Sequence, residues 1–167
     1  MPDFRAAAKW LLIVFVAFTA LPSNAWALSC LAGSVERSYF HWSQSDAVYV
    51  IVRGKLKPLG EIPEKRTNTV EEQQIENLQA VPYIFKGVII GKDHSSPVTV
   101  PVIVEPRCFA VWCGGYPYGR DEAVIALEKS EGGYFYRPTP CGGEAFYGDT
   151  LAHEEIVRNC MKNGNCS

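Results

Sequence analysis

The sequence predicts a mainly β domain, a small five-stranded antiparallel barrel or sandwich with a short N-terminal helix and a C-terminal helix, stapled by disulfides. Three observations lead to this prediction. Five apolar or β-branched runs are separated by polar or Gly/Pro-rich turns, strands and helices do not alternate along the chain, and six cysteines are spread over it.

The first residues have the pattern of a cleavable signal peptide. Basic residues precede an apolar run from Trp10 to Leu21, and Ala-Trp-Ala at 25–27 matches a cleavage site. The run is about 12 residues long, shorter than the roughly 20 that a membrane-spanning helix needs. The sequence therefore predicts a signal peptide at 1–27 and a single secreted or periplasmic domain at 28–167, without stable membrane insertion.

The charge and the cysteines restrict the class of function. A formal net charge of −2 provides no basic surface for nucleic acid or for an anionic membrane. Lipoprotein processing at Cys30 is not expected, because Ala27 replaces the usual leucine and acylation would leave one cysteine unpaired. Six cysteines allow 15 disulfide connectivities. Since no C-x-x-C motif occurs, structural bridges are favoured, and a thiol-disulfide oxidoreductase is kept only as an alternative.

Two helices are expected to flank a barrel that spans about 46–143. The first begins after Ser34, although 39–42 could equally form a strand. The second covers about 150–161 and follows the capping pair Asp149-Thr150. Its expected docking face consists of three residues spaced by four: Ala152, Ile156 and Cys160.

Five strands build the predicted barrel. In chain order they lie at 46–57, 79–90, 98–105, 122–129 and 134–136. Gly54 indicates a bulge or a sharp bend of the kind that lets a small barrel close. Pro82 and Pro101 indicate edge positions or bulges, since proline has no N–H to donate to a ladder. The polar segment 58–77 is expected to be a long exposed connection, with a turn of helix at 70–78.

Aromatic residues concentrate around the last two strands, which form a predicted hairpin with a tight turn at 130–133. A Gly/Pro-rich segment before the hairpin carries three of them, and within the second strand Phe135 faces outward if Tyr134 faces the core. We expect some of these rings to contact a partner, either another protein or a glycan. The candidate binding residues are Trp112, Tyr116, Tyr118 and Phe135.

The sequence shows no catalytic motif. It has no G-x-S-x-G, phosphate loop or dinucleotide fingerprint. Residues 153–157 resemble H-E-x-x-H, but Val157 stands where the second imidazole is needed, so neither a metal nor a cofactor is expected. The neighbouring carboxylates Asp121-Glu122 and Glu154-Glu155 are expected to point apart and to be solvated. The prediction is a binding domain and not an enzyme.

Short motifs from Asp46 to Gly143 follow the order found in netrin-like (NTR) domains. They are Asp46–Val48 with Arg53–Leu56, Phe85–Gly87, Val111–Gly114 with Gly119, Ala123–Leu127, and Gly132-Gly133 with Cys141–Gly143. The chain therefore resembles this family, which includes the tissue inhibitors of metalloproteinases, complement C-terminal domains and procollagen proteinase enhancers. The resemblance implies an OB-fold barrel that acts by binding.

The resemblance also implies disulfide pairs. Cys30 would connect the N-terminal segment to Cys141 or to Cys113. The local pairs would be Cys108 with Cys113 and Cys160 with Cys166. The metalloproteinase inhibitors begin with Cys-x-Cys and bind the protease zinc through the N-terminal cysteine, whereas the predicted N-terminus here is Leu28. An inhibitor that uses the Cys30 region and the loop after Cys113 is therefore the alternative function.

Overall fold

The structure, a computed structural model, describes residues 30, 33–63, 79–109, 112–119, 121–164 and 166. The predicted signal peptide and the predicted turn of helix at 70–78 lie outside these residues. The described part contains helices α1 (Val35–Ser43) and α2 (Thr150–Asn163). It also contains the strands β1 (Val48–Pro58), β2 (Val81–Ile90), β3 (Ser95–Val104), β4 (Cys108–Phe109), β5 (Trp112–Cys113), β6 (Ala123–Ser130), β7 (Gly133–Tyr136) and β8 (Ala145–Tyr147).

Five of the strands close into a barrel. Their order is β1-β2-β3-β7-β6, and β6 pairs back onto β1. All neighbours are antiparallel except β3 and β7, which are parallel. A closed ring with an odd number of strands cannot alternate in direction throughout, so one parallel pair is required. The predicted disulfide-stapled barrel is confirmed, with this pair as the departure from an all-antiparallel arrangement.

Strand β1 closes the barrel because its two halves pair with different neighbours. Residues 48–54 pair with β6, and residues 52–58 pair with β2. The register runs through Gly54 without an extra residue, so of the predicted alternatives, a bulge or a sharp bend, the bulge is wrong. Gly54 instead lies opposite Gly87, and a Cβ built on either glycine would lie 2.7 Å from the Cα atom of the other. The two glycines are required because the backbones approach closely here.

Pro82 and Pro101, the two prolines for which edge positions or bulges were predicted, each lie outside the ladder on one side of their strand. The β1–β2 ladder ends at the pair Pro58 and Tyr83, and Pro82 follows just beyond it. The β3–β7 ladder includes only 102–104 on the β3 side, which leaves Pro101 outside it. Both prolines are nevertheless paired on their other side, within the β2–β3 ladder, where Pro82 lies opposite Ile103 and Pro101 opposite Ile84. The predicted unpaired edge is therefore confirmed for one side of each strand only, and a bulge is not found at either proline.

Alternate residues of the strands fill the barrel interior. Tyr83 and Phe85 of β2 are fully buried, as is Leu127 of β6. On β3, Val102 and Val104 are buried, and the two preceding valines of the alternation pack against the same cluster. The valines that alternate along β3 are therefore the residues that face the barrel interior, as the period of two predicts.

Both helices cover the outside of the barrel. Ser34 caps α1 by accepting a hydrogen bond from the Arg37 N–H, which confirms the helix over the alternative strand. Asp149 caps α2 by accepting from the Ala152 N–H at 3.1 Å, and α2 ends before the left-handed Gly164. A second core lies between helices and barrel. It consists of Val35, Trp42, Ile51, Ile90, Val124, Ala126 and Val157.

The docking face of α2 differs from the prediction. Ala152 is exposed and Ile156 is only partly buried, so of the three predicted residues only Cys160 is buried. The face that packs on the barrel carries Glu154 and Val157 instead. Periodicity alone predicts a solvent-facing glutamate, whereas Glu154 is buried with its carboxylate paired to Arg53 and Arg158.

All six cysteines are oxidised. The predicted local bridges Cys108–Cys113 and Cys160–Cys166 are confirmed, with Cα–Cα distances of 4.0 and 4.4 Å. Cys30 and Cys141 are disulfide-bonded as well, and the alternative that joined Cys30 to Cys113 is wrong. Three disulfides indicate an oxidising, extracellular environment. Within the described residues, neither helix has the length and apolar character needed to cross a bilayer.

Candidate functional site

An open cleft of about 500 Å³ lies at one end of the barrel. Its floor is formed by core residues at the end of β1 and the start of β6, and its walls are tyrosines from the segment after β5 and from β8. This volume is in the range of small-ligand sites in proteins. We call it the tyrosine cleft. Its lining residues are Leu56, Tyr116, Pro117, Tyr118, Gly119, Asp121, Ala123, Ile125 and Tyr147.

The segment 116–119 forms one wall without being a helix or a strand, and three contacts hold it. The Tyr83 hydroxyl donates a hydrogen bond from the core to the Pro117 carbonyl at 2.9 Å. The Tyr116 hydroxyl donates to the Gln79 carbonyl at 2.7 Å. Gly119 has φ +72°, and a Cβ there would lie 2.7 Å from the Leu56 carbonyl oxygen. The wall is therefore fixed before any ligand arrives.

A second wall comes from β8, a short strand that is not among the five predicted strands. Tyr147 pairs with Ala123 of β6, which places its ring beside the cleft floor. Burial raises the pKa of Tyr147, and the nearby carboxylate of Asp121 raises it further. Asp121 itself is exposed at the rim. Tyr147 is not among the predicted binding residues, because only the pairing of β8 with β6 brings it to the cleft.

The tyrosine hydroxyls influence one another. Burial raises the pKa of Tyr83 to about 12, and Tyr116, Tyr118 and Tyr147 add to this shift. Burial also raises the pKa of Tyr116. The raised pKa values keep Tyr83, Tyr116 and Tyr147 neutral at physiological pH, and a further negative charge beside them is disfavoured. Among the described lining residues, the charged group beside the phenols is the carboxylate of Asp121.

The structure brings together only two of the four candidate binding residues. Tyr116 and Tyr118 both line the cleft, and Tyr118 is 74% exposed. Trp112 is 59% exposed but lies on the small β4–β5 hairpin, where it pairs with Phe109 between the bonded cysteines. Phe135 lies on β7, partly buried, with the Arg137 guanidinium carbon 4.5 Å from its ring centre. The four candidate residues thus lie on three elements: the cleft wall, the β4–β5 hairpin and β7.

A cluster of charged residues lies between α2 and the barrel. Glu154, only 7% exposed, accepts hydrogen bonds from the Arg53 Nε and, at 2.6 Å, from the Ser95 hydroxyl. Arg158, one helical turn further on, also donates to it. Arg53 reaches Glu122 as well, at 2.6 Å. The prediction that both carboxylates are solvated is wrong for Glu154, which is buried against arginines. Glu122 binds Arg53 but keeps 39% of its side chain exposed.

These ion pairs indicate that the charged cluster stabilises the fold. Burial raises the pKa of Glu154, but hydrogen bonds from Ser95 and Arg53 and the charge of Arg53 outweigh it, so the pKa is lowered overall. A carboxylate that stays ionised and is held by two arginines is a poor general acid or base near neutral pH. The cluster fastens α2 to strands β1 and β3.

Comparison with protein-family models, with curated proteins and with solved structures finds no match. The resemblance to netrin-like domains therefore remains a prediction from the motifs. The evidence for function is the geometry of the tyrosine cleft.

Proposed function

We propose that this chain is an exported, non-catalytic binding domain of the netrin/metalloproteinase-inhibitor-like type, which holds a partner protein in the tyrosine cleft. The observation that carries the proposal is the cleft itself, where Tyr118 is largely exposed on a wall that Tyr83 and Gly119 hold in place. Exposed aromatic rings on a rigid frame lose little conformational entropy on binding, which is why such rings dominate the energetics of many interfaces.

The positions of the motif residues support the netrin-like part of the proposal. The glycines of Arg53-Gly54-Lys55-Leu56 and of Phe85-Lys86-Gly87 lie opposite each other, in the part of β1 that pairs with both β2 and β6. Both motifs therefore serve barrel closure. A structural requirement of barrel closure would explain why domains with this kind of barrel share these motifs.

Replacing Tyr118 with alanine should weaken binding of a cleft ligand at least about tenfold, because truncating a central aromatic anchor typically costs more than about 1.4 kcal/mol. Ligands would be obtained by selecting a displayed peptide library, and in parallel a glycan array, on the immobilised mature protein. Affinities of the selected ligands for the wild type and Y118A would then be measured by isothermal titration calorimetry.

Two control variants make this experiment specific. Y118F keeps the ring and should retain most of the affinity. Leu151→Ala removes another exposed apolar side chain, on α2, and should change nothing. If the selected peptides bind Y118A as tightly as the wild type, the cleft is not the binding site. If only glycans are selected, the partner class proposed here is wrong.

The alternative, a metalloprotease inhibitor that uses the Cys30 region, makes a separate prediction. Zinc chelation of that kind needs a free α-amino group on Cys30, so we expect a mature chain that starts at Leu28 and fails to inhibit a metalloprotease panel. N-terminal mapping by mass spectrometry of the exported protein identifies the residue at which the mature chain starts. In the same experiment, an unreduced mass lower than the reduced mass by six hydrogens reports the three disulfides. A chain starting at Cys30 that inhibits would favour the alternative. Titratable thiols in the native protein would favour the oxidoreductase.

A further inference from the structure

The tyrosine cleft combines aromatic rings with one negative charge. Among its described lining residues, Asp121 is the only one that is charged at neutral pH. Burial raises the pKa of Tyr116 and Tyr147, and the carboxylate of Asp121 raises the pKa of Tyr147 further from the rim. The floor, made of Leu56, Ala123 and Ile125, is apolar. A ligand must therefore offer apolar surface to the floor and positive charge to the walls.

From this combination we infer that the tyrosine cleft recognises an organic cation on an aliphatic stem, namely a lysine or arginine side chain of the partner protein. This inference rests on the proposed function and names its ligand class. The stem would pack on Leu56 and Ile125. The ammonium or guanidinium group would lie against the faces of the tyrosine rings, near Asp121.

Other ligand classes fit these residues less well. An anionic group would meet Asp121 and phenols whose pKa values already show that negative charge is disfavoured there. A purely apolar side chain would fill the floor but leave the carboxylate partly desolvated without a partner. A cation satisfies both the rings and the carboxylate, since a ring face is negative and attracts it.

The rigidity of the cleft favours a single side chain over a large ligand surface. Tyr116 is held through its hydroxyl by Gln79, and Pro117 is held by Tyr83. Their positions are set by the barrel and do not depend on the ligand. A pre-formed site of this kind can select for the shape and charge of one group at low entropic cost.

The test uses small probes that carry only the inferred group. Nα-acetyl-lysine methylamide and Nα-acetyl-arginine methylamide are titrated into the ¹⁵N-labelled mature protein and followed by NMR. Their neutral counterparts, the norleucine and citrulline methylamides, are titrated in parallel. The cations should bind at least about fivefold more tightly than the neutral probes, as expected for a partly exposed cation–π site with one carboxylate. The shifted amides should lie at 116–119, 121–125 and 145–147.

Two aspartate variants test whether the carboxylate of Asp121 causes the preference for cationic over neutral probes. Asp121→Asn should reduce the preference for the cation to about twofold, since the rings alone remain. Asp93→Asn removes an equally exposed aspartate outside the cleft and should leave the preference unchanged. Because Asp121 is exposed, the spectrum of D121N should show that the fold is intact.

Equal binding of lysine and norleucine probes, or a preference that D121N leaves intact, would overturn the inference. So would shifts confined to residues outside the cleft. These failures are distinguishable from failure of the proposed function. If selected peptides or glycans still depend on Tyr118 while the cationic probes show no preference, the cleft binds a ligand of another class. If nothing depends on Tyr118, both proposals are wrong.

Discussion

Replacing Gly87 with alanine is expected to destabilise the protein by about 3 kcal/mol, at the upper end of what overpacking costs. The new Cβ would lie 2.1 Å from the Arg53 carbonyl oxygen, 2.7 Å from the Gly54 Cα and 2.8 Å from the Phe85 ring. Two of these three atoms belong to backbone, so no side-chain rotation relieves the contact. The β1–β2 pair would have to separate where the barrel closes. Urea denaturation followed by circular dichroism measures the loss.

Gly60→Ala is the matched control. A Cβ at Gly60 meets no atom within 4 Å, and the residue is not in the left-handed region. The same chemical change should therefore be neutral or slightly stabilising there, because alanine narrows the unfolded ensemble. An unfolding midpoint of G87A equal to that of G60A would show that β1 and β2 do not approach as closely as the structure has them.

The second large loss of stability is expected when Glu154 is replaced. Changing it to glutamine keeps the shape but leaves Arg53 and Arg158 without their shared carboxylate. Breaking a buried ion pair in this way costs about 3 kcal/mol, the low end of the usual range, because Arg53 keeps Glu122. The neighbouring Glu155→Gln is the control. Since Glu155 is exposed, its effect should stay within about 0.5 kcal/mol. Equal stability of E154Q and E155Q would contradict a structural role for the charged cluster.

The effect of E154Q should also depend on pH. The pKa of Glu154 is lowered in the folded state, so its ionised form stabilises the protein above the unfolded pKa of about 4.3. That stabilisation is lost as the pH falls through the folded pKa. The difference in unfolding free energy between wild type and E154Q should therefore be largest near pH 7 and shrink below about pH 4. Glu105, whose pKa Arg137 also lowers, is present in both proteins and cancels in the difference. A difference that stays constant with pH would exclude this linkage.

Features that depend on neighbours close in sequence were predictable. The alternation along β3, the hairpin of β6 and β7, and the cap at Ser34 each need only a few adjacent residues to be recognised. Two of the three bridges join cysteines five and six positions apart, which a local closure explains. The choice of tyrosines was partly predictable as well, since Tyr116 and Tyr118 stand on a Gly/Pro-rich segment that had to be a surface turn.

The candidate site as a whole was not predictable, because it is assembled from residues far apart in the chain. Tyr147 enters the cleft only because β8 pairs with β6, and Trp112 is kept out of it by the small bridged hairpin. The burial of Glu154 depends on Arg53, 101 positions earlier. A glutamate on a helix is solvent-facing by every local rule until a distant arginine neutralises it.

The sequence by itself determined the class of the fold, the positions of most elements and the oxidised state of the cysteines, since these follow from local periodicity, turn residues and cysteine number. The tertiary structure decided that the barrel contains one parallel pair, that Gly54 and Gly87 meet across β1 and β2, and that three tyrosines and Asp121 line one cleft. The physical reason is that strand pairing and burial are energies of long-range contacts, and a local pattern restricts those contacts without choosing among them.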